Sequence, residues 1–109
     1  MTSTEIHRVT TLFQRHLEKQ KKNPNTVRSY TNDLQQFFKW CVSTNGDELR
    51  LAELTRSDVV DFRSFLLTRK SSLASINRRI TSLRQFFEFA IDAGLARQNP
   101  VTGVMGLPN

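Results

Sequence analysis

Few side chains in this 109-residue chain suit covalent chemistry, and none stands in a constellation that would perform it. His7 and His16 lie nine positions apart, which puts them on opposite sides of a helix, where they cannot readily share a ligand site. Cys41 is the single thiol. It excludes an internal disulfide, sets no zinc pattern with the two histidines, and fits a reducing cytosol. Tyr30 and Cys41 fall on the apolar face of a predicted helix and read as core, where a free Cys behaves as a small hydrophobe. The chain shows neither a glycine-rich phosphate loop nor a carboxylate pair in a plausible cleft. The expectation is a chain with no catalytic residue, no metal and no cofactor.

Charge says more. The net charge is +6, and it is segregated. Lys19 to Asn32 holds four basic residues and no acid, Phe62 to Phe87 holds six and no acid, and half of the ten acids fall between Asp47 and Asp61. Such segregation can build a one-sided positive surface suited to a polyanion, with nucleic acid ahead of membrane. Taken alone, the charge fits an inert basic surface equally well.

Two helix starts within these stretches carry side chains for phosphate and base edges. The first is Asn25-Thr26-Val27-Arg28-Ser29-Tyr30, with Asn32 one turn on. Asn25, Thr26, Arg28, Ser29 and Asn32 are the candidate donors, because amides, short hydroxyls and arginine supply most such contacts. Helix capping needs the same residue types, so capping stays open as the plainer reading. The second is Ser75-Ile76-Asn77-Arg78-Arg79-Ile80-Thr81-Ser82. Here Arg78 points away from Ile76, Ile80 and Leu83, Ser75, Ser82 and Gln85 lie on the outer side, and Arg79 is at the flank. Arginine and small polar residues near a helix start suit a major groove. The alternative is a solvated basic face.

Four helices position these residues, and the fold class is all-α. The first runs from about Thr4 to Lys21, with Val9, Leu12, Phe13 and Leu17 inward. Asn23-Pro24-Asn25 separates it from the second, Asn25 to Ser43, for which Asn25 is the plausible N-cap. Val27, Tyr30, Leu34, Phe37, Phe38 and Cys41 share its apolar face. Asn45 or Gly46 is suited to a left-handed C-terminal turn. A connector from Asp47 carries Leu49, Leu51 and Leu54. Thr55 opens the third helix with Asp58 completing a capping box, and Val59, Phe62, Phe65 and Leu66 repeat to Thr68. The fourth begins within Ser71–Ser75 and ends near Ala93. Its stripe is Ile76, Ile80, Leu83, Phe87, Ala90 and Ile91, and Gly94 follows as C′ residue. Phe37-Phe38 and Phe86-Phe87 are both buried only if their helices are covered on two sides. Phe89 lies off the main stripe. Leu95 to Asn109 reads as an exit segment. No internal repeat stands out, and no apolar run is long enough for a membrane span.

Taken in order, these pieces resemble the N-terminal core-binding, SAM-like domain of tyrosine recombinases such as phage integrases and the Xer proteins. The pieces are the Asn25–Tyr30 opening, Leu34-Gln35-Gln36-Phe37-Phe38-Lys39-Trp40, Leu54-Thr55 leading to Asp58-Val59-Val60-Asp61-Phe62, the Ser75–Phe87 run, and Gly94-Leu95-Ala96-Arg97-Gln98-Asn99-Pro100. The resemblance implies a compact four-helix bundle that forms half of a C-shaped clamp on double-stranded DNA. Its second and fourth helices would face the major groove, and its first would turn toward neighbouring recombinase protomers. By position it points to Asn25, Thr26, Arg28 and Ser29 and to Ser75, Asn77, Arg78 and Arg79. It implies a core-binding domain over residues 1–98, with 99–109 beginning a linker to a catalytic domain. In that domain a tyrosine nucleophile would form a 3′-phosphotyrosyl intermediate, and Tyr30 does not match its position. The fragment is therefore expected to be non-catalytic, monomeric in isolation, cytoplasmic and not membrane-bound. Two other readings remain: a stand-alone helical DNA-binding regulator, whose short sharp interhelical turn is not evident in the sequence, and a helical protein-interaction module.

Overall fold

Thr2 opens the first helix. In the computed structural model, which describes residues 1–45 and 49–104, its hydroxyl accepts from the Glu5 amide at 3.1 Å while the Glu5 carboxylate accepts from the Thr2 amide at 3.4 Å. This capping box starts α1, Ser3–Lys19, one residue before the expected Thr4. Val9, Phe13 and Leu17 are buried as the period requires, joined by Thr10, whose hydroxyl donates to the Ile6 carbonyl at 2.8 Å. The helix stops two residues before the expected Lys21 because Lys21 turns left-handed, at φ 58°.

The N-cap of the second helix is a correction. Asn23, not Asn25, supplies it: the Asn23 side-chain oxygen accepts from the Asn25 amide at 2.8 Å and its carbonyl accepts from Val27 at 3.0 Å. Pro24 is the first residue of α2, Pro24–Asn45. Proline has no N–H to leave unsatisfied at that position, and its φ is already helical. Asn45 stays within the helix, and Gly46 and Asp47 lie outside the described residues.

The connector forms a short 3-10 turn, Leu51–Glu53, and Leu49, Leu51 and Leu54 are all buried. The helix α3, Arg56–Thr68, has the expected bounds. Asp58 replaces the usual Glu in its box, accepting from the Thr55 amide at 2.8 Å while the Thr55 hydroxyl accepts from the Asp58 amide at 3.4 Å. Ser72 caps α4, Leu73–Asp92, accepting from Ser75 at 3.1 Å. Gly94 follows at φ 76°, where a side chain would be strained. Its amide donates to Ile91 at 3.1 Å and that of Leu95 donates to Ala90 at 2.8 Å, the paired closure of a Schellman turn. Ile91, expected inward, is 39% exposed. It lies beyond the edge of the buried arc, which widens instead toward Phe86 and Ser82. No strand occurs among the described residues, so the fold is all-α.

The chain divides into two units, Met1–Arg50 and the chain from Leu51 onward. Within the first, α1 packs on α2, and within the second, α3 packs on α4. The two hairpins are a repeat of one another. Adding 49 to a residue number in the first hairpin gives its counterpart in the second: Lys19, the end of α1, maps to Thr68, the end of α3, and Pro24 maps to Leu73. Phe13 and Phe62, Leu17 and Leu66, Leu34 and Leu83, Phe37 and Phe86, and Phe38 and Phe87 are identical pairs, and all are buried. Asp33 and Ser82, buried polar residues, also correspond. The repeat is hard to see in sequence because most of the identities fall on inward positions, while most outward residues have diverged.

The turns match as closely. Each hairpin is joined by four residues, Gln20–Asn23 and Arg69–Ser72. In both, the second and third amides of the turn close back on the helix: Lys21 to Glu18 at 2.9 Å and Lys22 to Leu17 at 3.2 Å, Lys70 to Leu67 at 2.9 Å and Ser71 to Leu66 at 3.1 Å. The C′ residues are Lys21 at φ 58° and Lys70 at φ 60°. The left-handed residue of each turn is lysine, where the sequence signal is normally glycine or asparagine.

Candidate nucleic-acid interface

The first two turns of α2 and of α4 carry the sequence-predicted residues, and each set lies within one unit. On α2, Asn25, Arg28 and Asn32 are exposed, and Thr26 and Ser29 are half-buried. Arg28 donates to the Asn25 side-chain oxygen at 3.3 Å, so these two polar ends converge at the helix start. Thr31, which was not predicted, turns its hydroxyl back to the carbonyls of Val27 and Arg28, at 2.9 and 3.1 Å. On α4, Arg78 is exposed, and Ser75, Asn77 and Arg79 are half-buried. Under the 49-residue equivalence, Thr26 pairs with Ser75, Arg28 with Asn77 and Ser29 with Arg78. The starts of the two helices thus carry hydroxyl, polar and arginine side chains within the same turn of each hairpin, with the arginines one position apart under the equivalence.

Ser82 is a correction. It was expected on the outer side, yet it is fully buried, and its hydroxyl donates to the Arg78 carbonyl at 3.0 Å. It sits one turn before Phe86, and the inward placement of Phe86 carries the buried arc around to it. Arg79 is intermediate, with its Nε out of solvent and without a hydrogen-bond partner. Its counterpart in α2 is Tyr30, also half-buried. Both side-chain types lay an apolar body along a core edge. Substituting Arg79 therefore removes packing as well as charge, and Arg78 is the cleaner probe.

Arg84 belongs to the same acid-free stretch but has another task. Its guanidinium donates to the Val104 carbonyl at 3.2 Å, and its own carbonyl accepts from the Asn99 side chain at 3.4 Å. The Asn99 side-chain oxygen in turn accepts from Val101 at 2.9 Å. Ala96, Pro100, Val101 and Val104 are buried. The segment after α4, expected as an open exit, is folded within its unit as far as Val104, and residues 105–109 lie outside the described residues. A part-buried hydrogen bond from a charged donor contributes about 1.5–3 kcal/mol, so Arg84→Ala is expected to free this segment first. Amide hydrogen exchange should show lost protection at Val101 and Val104 while α4 stays protected.

Among the described residues no cluster of three potential metal ligands occurs and no helix is long and apolar enough to cross a membrane. Residues 10–94 match the phage integrase, N-terminal SAM-like domain family. The chain belongs to that family. It is 37% identical over 82 residues to tyrosine recombinase XerC of Treponema denticola, covering 75% of this chain and 26% of that protein. It is 35% identical over 83 residues to the TnP I resolvase of Bacillus thuringiensis, covering 75% and 28%. Against tyrosine recombinase XerD of Pseudomonas aeruginosa the identity is 32% over 80 residues, covering 73% and 26%. No solved structure matches. The chain thus spans about a quarter of the length of these relatives, and what aligns is a tyrosine recombinase N-terminal domain, all-α and SAM-like.

Proposed function

We propose that this integrase-type domain binds double-stranded DNA and positions a site-specific tyrosine recombinase on it for integration and recombination. The observation that carries this reading is the duplicated hairpin. Two equivalent helix starts, Asn25–Asn32 and Ser75–Arg79, each present arginine, amide and hydroxyl side chains within stretches free of acids. Such side chains serve phosphate positioning and base-edge readout. Strand cleavage and rejoining belong, in this reading, to a separate catalytic domain of the recombinase, with neighbouring protomers meeting on the DNA. Tyr30 is half-buried on the side of α2 that matches Arg79, a position suited to packing rather than to attack on a phosphate.

Fluorescence anisotropy with a labelled duplex tests the reading. The domain should bind at low salt, and Arg78→Ala should weaken binding by about 1–3 kcal/mol if it reads a base. Ser82→Ala should leave binding unchanged, since its hydroxyl never reaches solvent. A chain that fails to bind duplex at low ionic strength would favour the protein-interaction reading.

A further inference from the structure

We propose that the two hairpin tips are a second pair of DNA contacts, binding backbone phosphates through Lys21 and Lys70 with their flanking cations, separate from the α2 and α4 faces. The inference rests on the DNA-binding reading above and adds residues to it.

Three observations support it. The tips are basic in both units: Lys19, Lys21 and Lys22 in the first, Arg69 and Lys70 in the second, all exposed. Lys21 and Lys70 are an identical pair under the 49-residue repeat that is exposed in both units, whereas the identical pairs within α1 and α3 are core residues and Gln36 and Gln85, identical on α2 and α4, are exposed and half-buried. Both occupy the left-handed C′ position, at φ 58° and 60°. A residue with a Cβ is disfavoured there by about 1–2 kcal/mol, and glycine is the residue the backbone prefers. The third helix ending of the same type uses glycine, Gly94 at φ 76°. Lysine is therefore no aid to the turn, and what it supplies in place of glycine is an exposed charge. The first tip is also continuous with the predicted face. Lys22 and Arg28 line one groove of about 480 Å³ together with Gln14, Glu18, Pro24, Val27 and Thr31, so two cations there face a single acid. A compact ammonium on a flexible stem fits a phosphate as a point charge and reads no sequence.

The test is the double variant Lys21→Gly/Lys70→Gly, which removes both charges while relieving the backbone. Its melting temperature should equal or exceed that of the parent, so a binding defect cannot be ascribed to misfolding. Its affinity should fall roughly tenfold, equally on unrelated duplex sequences, and its log K against log salt slope should be shallower by about 2. Lys21→Arg/Lys70→Arg should restore the parental slope. A parent that binds with the slope unchanged in the glycine variant overturns the tip inference alone, leaves the α2 and α4 reading in place, and would point the tips toward an acidic protein surface. A parent that does not bind duplex sinks both.

Discussion

Phe86→Ala is expected to lower the stability of the domain by about 3–5 kcal/mol, and Phe37→Ala by a similar amount. Both rings are fully buried, and they occupy equivalent positions in the two hairpins. Phe86 meets Phe87 edge-to-face, with centroids 5.0 Å apart, and Phe37 lies 6.2 Å from Phe38 and 6.3 Å from Trp40. Truncation removes the transfer free energy of the ring, leaves a cavity the neighbours fill only in part, and loses the aromatic contact. A domain of this size has a total stability of about 5–15 kcal/mol, so either change takes a large fraction of it. In urea the midpoint should fall by at least about 1 M, given slopes of about 1–3 kcal/mol per M. Phe89→Ala is the control. That ring is half-buried, 6.3 Å from Phe86, and its loss should cost clearly less. If Phe89→Ala proved as damaging as Phe86→Ala, the assignment of the inner arc of α4 would be wrong.

The second large effect is on DNA affinity. If the domain neutralises about four phosphates, log K should fall with log salt at a slope near −3.6, so raising salt from 50 to 200 mM weakens binding roughly 150-fold. The estimate follows from counterion release: each lysine or arginine that meets a phosphate displaces condensed cations into bulk, and added salt opposes that displacement. The charge distribution makes the effect plausible in size, since the chain carries a net +6 with its acids concentrated between Asp47 and Asp61. A titration monitored by anisotropy across that salt range gives the slope directly. A slope near zero would contradict phosphate contact at either the helix starts or the tips.

Much of this domain is determined by interactions within four residues along the chain, and those are legible in sequence. The four helices, the Thr55–Asp58 box, the start of α4 near Ser72, the left-handed Gly94 and the inward positions Phe13, Leu34, Phe62 and Leu83 all follow from period and end chemistry. The ordered motifs also suffice for the family. The exposure of Asn25, Arg28, Asn32 and Arg78 follows from the same arithmetic, because a position opposite a strong apolar stripe is a local property.

Tertiary structure alone decided the rest. Ser82 is inside and Ile91 is partly outside because the width of a buried arc depends on what packs against it, which periodicity does not specify. Asn23 rather than Asn25 caps α2, because the two asparagines flanking Pro24 offer the same chemistry and the backbone path chooses between them. Residues 99–104 are folded in because Arg84, fifteen and twenty positions away, holds Asn99 and Val104. The paired lysine turns emerge only in three dimensions, because a left-handed lysine leaves no signal in composition and is tolerated only where the closing hydrogen bonds of the turn impose it, whereas the repeat itself is present in sequence as Leu34–Phe38 and Leu83–Phe87.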